Sequence, residues 1–336
     1  MEQEIDTISV PGIVEIVKYV GSQSFRPDMY KQYEIPKSGG GRREINEPVE
    51  WLKILQQKIM RFLLAQRLPA SPNACAYIYD KSIVDMAKPH IGKKVVIKMD
   101  LKNFFPKITP EMVVTALTQA WSFKGSRGLA PLPRSSKIVS LVREWCFLNN
   151  GLPIGAPTSP VLSNIVAYRM DRRIAGFCDY WRGYSECAVR RVADLRVDKI
   201  AYTRYADDLC FSSNYEHLPE IIPIIRKIIE KSGFVVNEKK TRVMRKAPAI
   251  VGVSLTKLGK QTRYRRLLRQ KLHQIAVNVE EGRVPKGMMF ERNGKEEKIV
   301  PIQLASLRGQ VAHIKFLNPQ QGQKFDALLR RVENVC

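Results

Sequence analysis

Two short apolar β runs, Ile200–Tyr205 and Leu209–Ser213, flank the turn Ala206-Asp207-Asp208. So short a link confines the runs to an antiparallel hairpin with two adjacent carboxylates at its tip. A further β-rich run, Lys94–Leu101 (KVVIKMDL), closes on Asp100. Adjacent acids repel and a strand end offers little solvation, so such a group is costly unless a cation lies between its members. Oxygen donors with no nearby His or Cys point to Mg²⁺, with Mn²⁺ as the substitute. By itself, an Asp-Asp turn is more often a solvated loop tip than a metal site.

Charge narrows the partners. Among 336 residues there are 56 Lys+Arg against 32 Asp+Glu, a net charge of +24. The segment Lys239–Cys336 holds 22 Lys+Arg and 7 Asp+Glu, and Thr241–Val279 has ten basic residues and no acid. Soluble surfaces intersperse acids among exposed lysines, so their absence argues for a phosphate-backbone surface. A membrane is the other polyanionic option. No run reaches the roughly 18 apolar residues of a spanning helix, and the acidic start Met1-Glu2-Gln3-Glu4 is unlike a secretory leader. The six cysteines (75, 146, 178, 187, 210 and 336) include no C-x-x-C pair. Free thiols in a reducing cytoplasm are the simplest expectation.

Around these features the chain reads as an α+β core with a mainly helical, basic C-terminal lobe. Gly39-Gly40-Gly41 separates the extended runs Lys31–Pro36 and Arg43–Ile45, which predicts a hairpin. Apolar spacing predicts helices after Pro48, at Glu111–Trp121, Ser136–Phe147, Ser159–Ile174 and Leu218–Lys231, and strands at Phe234–Asn237 and Ala249–Leu255. A long helix follows from Tyr264, Leu267, Leu268, Leu272, Ile275 and Val279, with a final pair at Ile302–Phe316 and Gln323–Val335. The stretch Phe177–Lys199 is longer than joining its neighbours requires.

Four motifs in order carry a resemblance. Tyr205-Ala206-Asp207-Asp208 resembles the YxDD signature of reverse transcriptases, and Met99–Phe105 (MDLKNFF) the preceding acidic motif of the same palm. Gly151–Pro160 (GLPIGAPTSP) is similar to the template and nucleotide loop between them, and Gly233–Thr241 (GFVVNEKKT) follows where the next motif belongs. Within that family the chain resembles bacterial retron reverse transcriptases. Ala87–Gly92 (AKPHIG) is similar to their N-A-x-x-H element, with Met86 in place of Asn, and Leu307-Arg308-Gly309 with Ile314–Pro319 resembles the end of their thumb. Ile250-Val251-Gly252 stands where retrons show V-T-G. Ile154 stands where most reverse transcriptases have Gln, as in the error-prone enzymes of diversity-generating retroelements.

The resemblance implies a right-hand polymerase: fingers over 1–95, a palm of antiparallel sheet plus helices over 96–255 with a finger insertion near 107–150, and a short basic thumb over 256–336. Asp100, Asp207 and Asp208 would ligate two Mg²⁺ ions, with the Leu101 carbonyl as an extra ligand. Lys240 would act as acid toward pyrophosphate, or be a solvated lysine. Phe105 would exclude a ribose 2′-hydroxyl, or simply pack. Arg43 would bind the triphosphate, with Lys37 or Arg42 as substitutes, and Ile154 and Gly155 would border the incoming nucleotide. His90 would touch RNA or serve as a structural hydrogen-bonder. Arg263, Arg265, Arg266 and Arg269 would track an A-form duplex while Tyr264, Leu267 and Leu268 face the core.

The implied reaction is dNTP addition on RNA. In a retron, a noncoding RNA is template and primer, DNA starts on the 2′-hydroxyl of an internal guanosine, and the branched hybrid serves antiphage defence with a separate effector protein. Another bacterial reverse transcriptase, or an RNA-binding scaffold with a vestigial centre, are the competing expectations.

Overall fold

A computed structural model describes residues 27–36, 40–65, 68, 70–125, 137–189, 199–245, 248–250, 253–254, 261–262, 265–293 and 296–334. Lys37 and Arg263 lie outside them, and the side chains of Arg265 and Arg266 are likewise outside the description. The chain divides into two compact units, Met1–Ser82 with Val95–Val243, and Ile83–Lys94 with Met244–Cys336.

In the first unit, β1 (Tyr30–Pro36) and β2 (Arg42–Pro48) form the expected hairpin, with Tyr30 opposite Pro48 and Pro36 opposite Arg42. Its base is buried at Tyr30, Asn46 and Pro48 while its tip is exposed. The helix Glu50–Ala65 follows and buries Leu52, Leu55, Gln56, Ile59, Phe62 and Leu63, one apolar stripe at helical spacing. The buried Gln56 amide donates to Tyr30 Oη at 2.8 Å and to the Trp145 carbonyl at 2.7 Å, tying the hairpin base to the core.

The central sheet has the order β4 (Ala201–Tyr205), β5 (Asp208–Ser213), β3 (Val95–Asp100) and β6 (Arg242–Met244). β3 is buried except for partial exposure at Lys98, which accounts for its nearly unbroken apolar run. Helices Pro110–Gly125, Ser159–Val189 and Ile222–Glu230 share one core with the sheet. The helix expected to end at Ile174 continues to Val189, so much of the extra stretch is helix. Phe234–Asn237 departs from expectation: it is not a strand but touches Leu101 through a single bridge at Val236.

The second unit holds the short helix Ile83–Ala87, a small sheet of β7 (Ala249–Ile250), β8 (Val253–Ser254) and β9 (Gln261–Thr262), and the helix Arg265–Glu280. A hairpin, β10 (Met288–Asn293) with β11 (Glu296–Pro301), lies within the lobe expected to be mainly helical, and helices Leu304–Leu317 and Pro319–Asn334 follow. Leu268, Leu272, Ile275 and Ala276 pack with Leu307, Val311, Ile314, Phe325, Leu329 and Val332. Leu267 does not join them. It is 69% exposed, because successive residues on a helix point about 100° apart and Leu268 takes the inward position. At Gly322 a Cβ would come within 2.5 Å of Lys315 Cα, so the last two helices approach as closely as a glycine allows.

Candidate active site

The three aspartates converge through strand pairing. In the β3–β5 register Asp100 stands directly opposite Asp208. Ala206 takes a left-handed φ of 54° in the intervening turn, and the Leu101 amide donates to the Asp207 carbonyl at 2.9 Å, closing the turn onto the end of β3. Asp100 is 5% exposed. Burial and the neighbouring Asp208 raise the pKa of Asp207, and burial raises that of Asp208 although Lys98 opposes it. Two carboxylates held out of water near one another are an excess of negative charge in search of a cation.

Part of that charge is met by two lysines. Lys98 shares a sheet face with Asp100, two residues along β3, and its Nζ lies 2.9 Å from Asp208 Oδ1. Lys240 Nζ reaches Asp100 Oδ1 at 3.0 Å, and the contact raises the lysine pKa. Asn237 completes the collar, its side-chain amide donating to Asp100 Oδ2 at 3.1 Å and its backbone N–H to the Asp100 carbonyl at 2.7 Å. Among the described residues no group of His, Cys, Asp or Glu is arranged to hold a metal ion as it stands. The donor set nonetheless fits a hard divalent cation, being all oxygen and electrostatically under-neutralised. A metal ion held by these carboxylates would compete with Lys98 and Lys240 for their oxygens.

A buried bracket holds the turn from behind. Arg204 and Asp171 are both fully buried, with Arg204 Nε 2.8 Å from Asp171 Oδ1 and Nη2 2.9 Å from Oδ2. Arg204 Nη1 donates to the Ala206 carbonyl at 3.1 Å, and Nη2 also donates to Asn164 Oδ1 at 3.1 Å. Tyr202 Oη gives Asp171 a further bond at 2.7 Å. The Arg204 backbone exchanges bonds with Asn73 and Cys75, and Asn164 donates to the Ala76 carbonyl, so the segment before Tyr77 is fixed by the same network.

Several expected nucleotide contacts meet nearby. The Asn46 amide at the hairpin base donates to the Ile154 carbonyl at 2.7 Å. Gly155 has φ +118°, and a Cβ there would lie 3.0 Å from the Asn46 carbonyl oxygen, so hairpin and loop close only over a glycine. Arg42 is bound to Glu34 at 2.9 Å, whereas among the described residues no carboxylate pairs with Arg43. Phe105 accepts from the Leu152 amide at its carbonyl, and its ring lies 5.4 Å from Phe104 and 6.2 Å from Tyr77. Tyr77, with a left-handed φ of 59°, has its hydroxyl in the fields of Asp207 and Arg43.

His90 is open in the sequence to two readings, an RNA contact or a structural hydrogen-bonder, and its interior position suits the second. It belongs to the second unit, is fully buried, and burial lowers its imidazole pKa to about 4. It is a neutral interior group. Arg269 is exposed on the helix Arg265–Glu280. The sequence reading misses Lys98, Asn237, Tyr77 and the Asp171–Arg204 pair, whose only local cue is the place of Arg204 beside Tyr205-Ala206-Asp207-Asp208.

Residues 35–268 match the family Reverse transcriptase (RNA-dependent DNA polymerase), and the chain belongs to that family. Its relatives within it include bacterial retron enzymes. It is 33% identical over 307 residues to the retron Mx65 reverse transcriptase of Myxococcus xanthus, covering 88% of this chain and 63% of that one. It is 31% identical over 254 residues to the retron Ec86 reverse transcriptase of Escherichia coli, covering 73% and 70%. The chain thus spans less than two thirds of the Mx65 protein. Telomerase from Candida tropicalis in complex with a TWJ fragment of telomeric RNA shares the fold, with a TM-score of 0.51 at 13% identity over 80% of this chain and 52% of that one. Among the described residues no helix is long and apolar enough to cross a membrane.

Proposed function

We propose that the chain is the RNA-directed DNA polymerase of a retron, copying part of its own noncoding RNA into a branched RNA–DNA hybrid that starts on the 2′-hydroxyl of an internal guanosine. The observation that carries this reading is Asp100 facing Asp208 across the β3–β5 register, with Asp207 beside them, in a reverse transcriptase of retron type. Mg²⁺, when bound at the three carboxylates, supplies charge neutralisation at an attacking hydroxyl and a leaving pyrophosphate. The chain's own residues do the rest. The Asp171–Arg204 bracket holds the turn that aims Asp207 and Asp208. Arg43 holds the triphosphate from the hairpin, Gly155 and Ile154 border the base, and Phe105 refuses a 2′-hydroxyl. Lys240, already at Asp100, is the proton donor nearest the pyrophosphate side. The fingers, palm and thumb follow the boundaries given above, and the basic residues of the thumb track the duplex. A separate effector protein acts with the hybrid in antiphage defence.

One residue favours a second reading. Ile154 in the nucleotide loop suits an error-prone enzyme of the diversity-generating type. Isolating the protein from its host and sequencing the co-purified nucleic acid separates the readings. The retron reading expects DNA joined to RNA and copied from one defined stretch of that RNA. RNA without any DNA copy would contradict it in favour of a scaffold, and mutated copies of a repeat would favour the diversity-generating type.

A further inference from the structure

The helix Ser159–Val189 works on two faces. Asn164 and Asp171 turn toward Arg204. Ile165 and Arg172 each follow by one residue and are therefore rotated by about 100° round the helix. On this second face lies a cleft of about 990 Å³, walled by the helix Pro110–Gly125 and by Lys231-Ser232. It lies wholly in the first unit and includes none of the catalytic aspartates. Its volume is at the upper end for a ligand pocket, which runs to about 1,000 Å³.

The lining is amphipathic in a particular way. Met112, Ala116, Ile165 and Val166 supply an apolar floor. Arg169, Arg172, Arg173 and Lys231 are exposed at the cleft, and among the described residues no carboxylate pairs with any of them. The one acid in the lining, Glu111, is already held by Arg143 at 2.8 Å. Arg172 lies over the Tyr168 ring at 6.0 Å, and Arg173 donates to the Ser232 hydroxyl at 3.5 Å. Unmatched guanidinium forks favour phosphate oxygens, and an apolar concavity with an aromatic wall favours a flat, weakly polar ring. A ligand that presents both, ring inward and anion outward, is a nucleotide.

We propose that this cleft binds a single-stranded segment of RNA outside the template–primer duplex, taking a base on the floor and phosphates on the arginines. Bases within a duplex are stacked and cannot enter a concavity, whereas unpaired bases can be splayed into one. The inference rests on the proposed reading that the chain's partner is an RNA. An acidic protein segment would satisfy the charge, but it leaves the pairing of three arginines with a ring-sized apolar floor without purpose.

The test uses the full chain and three ligands: a fluorescein-labelled oligouridylate, a labelled polyglutamate peptide and a preformed RNA template–DNA primer duplex. In Arg169→Gln/Arg172→Gln/Arg173→Gln, oligouridylate binding should weaken at least tenfold. Its salt slope should fall by about 2, at about 0.7 per phosphate contact on a single strand. Extension of the duplex primer at saturation should stay within twofold of the parent. With 4-thiouridine in the oligonucleotide, photocrosslinks to the parent should map to residues 112–119 and 165–173. Arg172→Glu alone should weaken binding in the same direction, and melting curves establish that both variants are folded. An unchanged isotherm and slope in the folded triple variant would overturn the proposal, as would crosslinks confined to other segments. Unchanged RNA binding with lost polyglutamate binding would reassign the cleft to a protein partner. Failure of the parent to extend the primer would instead defeat the polymerase reading, so the two failures are distinct.

Discussion

Ile154 is fixed by its backbone and free in its chemistry. Its carbonyl accepts from the Asn46 amide and the next residue is a glycine that no other side chain could replace without strain, so substitution changes the side chain while leaving the loop in place. An aliphatic group makes no hydrogen bond, whereas Gln offers both donor and acceptor. Ile154→Gln is expected to lower the nucleotide KM or the error frequency by several-fold. Steady-state kinetics and sequencing of the product check this, and no change in either would remove Ile154 from nucleotide selection. His90 makes a residue-scale claim of another kind. Burial lowers its pKa from 6.5 to about 4, so between those values the unfolded chain binds a proton that the folded chain does not. The associated stability is intact above about pH 6.5 and is lost as pH falls toward 4, with a cost of ~2 kcal/mol by pH 5. Denaturant melts at pH 7 and pH 5 should show this loss in the parent and a flatter dependence in His90→Gln. Equal pH dependence in the two proteins would contradict the assignment.

At the scale of elements, the Asp207-Asp208 turn depends on a helix behind it. Asp171 on the helix Ser159–Val189 neutralises Arg204 on β4, and Arg204 in turn holds the Ala206 carbonyl. Removing one partner strands a buried charge. Asp171→Leu should therefore cost about 3–5 kcal/mol, and Arg204→Met a comparable amount. The double variant Asp171→Leu/Arg204→Met removes both charges and should recover most of that stability, yet its turnover should stay low because Ala206 has lost its donor. Urea melts and primer-extension kinetics measure the two separately. Recovery of full turnover together with stability would mean that the bracket does not position the turn.

At this scale the limits of sequence reading also have physical reasons. A strand ending in Asp100 and a hairpin tip at Asp207-Asp208 are local patterns, and so the carboxylate edge is legible. The Lys98–Asp208 pair joins residues 110 apart and depends on cross-strand register, while the Asp171–Arg204 pair depends on which helical face meets the sheet. Neither leaves a periodic trace. The hairpin β10–β11 does leave one, the Asn293-Gly294 step between two short runs, but Glu291, Glu296, Glu297 and Lys298 are residue types depleted in strands and blunt the signal. Phe234–Asn237 has strand-like residues, but its pairing is a single bridge at the end of β3, made by the Lys102 N–H to the Val235 carbonyl and the Asn237 N–H to the Asp100 carbonyl, and β3 stops there.

The whole molecule combines a carboxylate edge in one unit with a basic C-terminal segment in the other, the two features that the proposed function uses. Family membership, an all-oxygen donor set and the Asp100–Asp208 register support the same account, and all of it rests on the aspartates. The most direct measurement is DNA synthesis from dNTPs and Mg²⁺ on an RNA template with an annealed primer, comparing the parent with Asp207→Asn. That substitution keeps the side-chain volume and removes a charge whose burial is already costly, so the variant should fold at least as stably, by up to about 1–2 kcal/mol, and bind RNA as the parent does. The account predicts templated extension by the parent and a loss of at least a hundredfold in Asp207→Asn. Comparable extension by the two proteins, or none by a folded, RNA-bound parent, would contradict it.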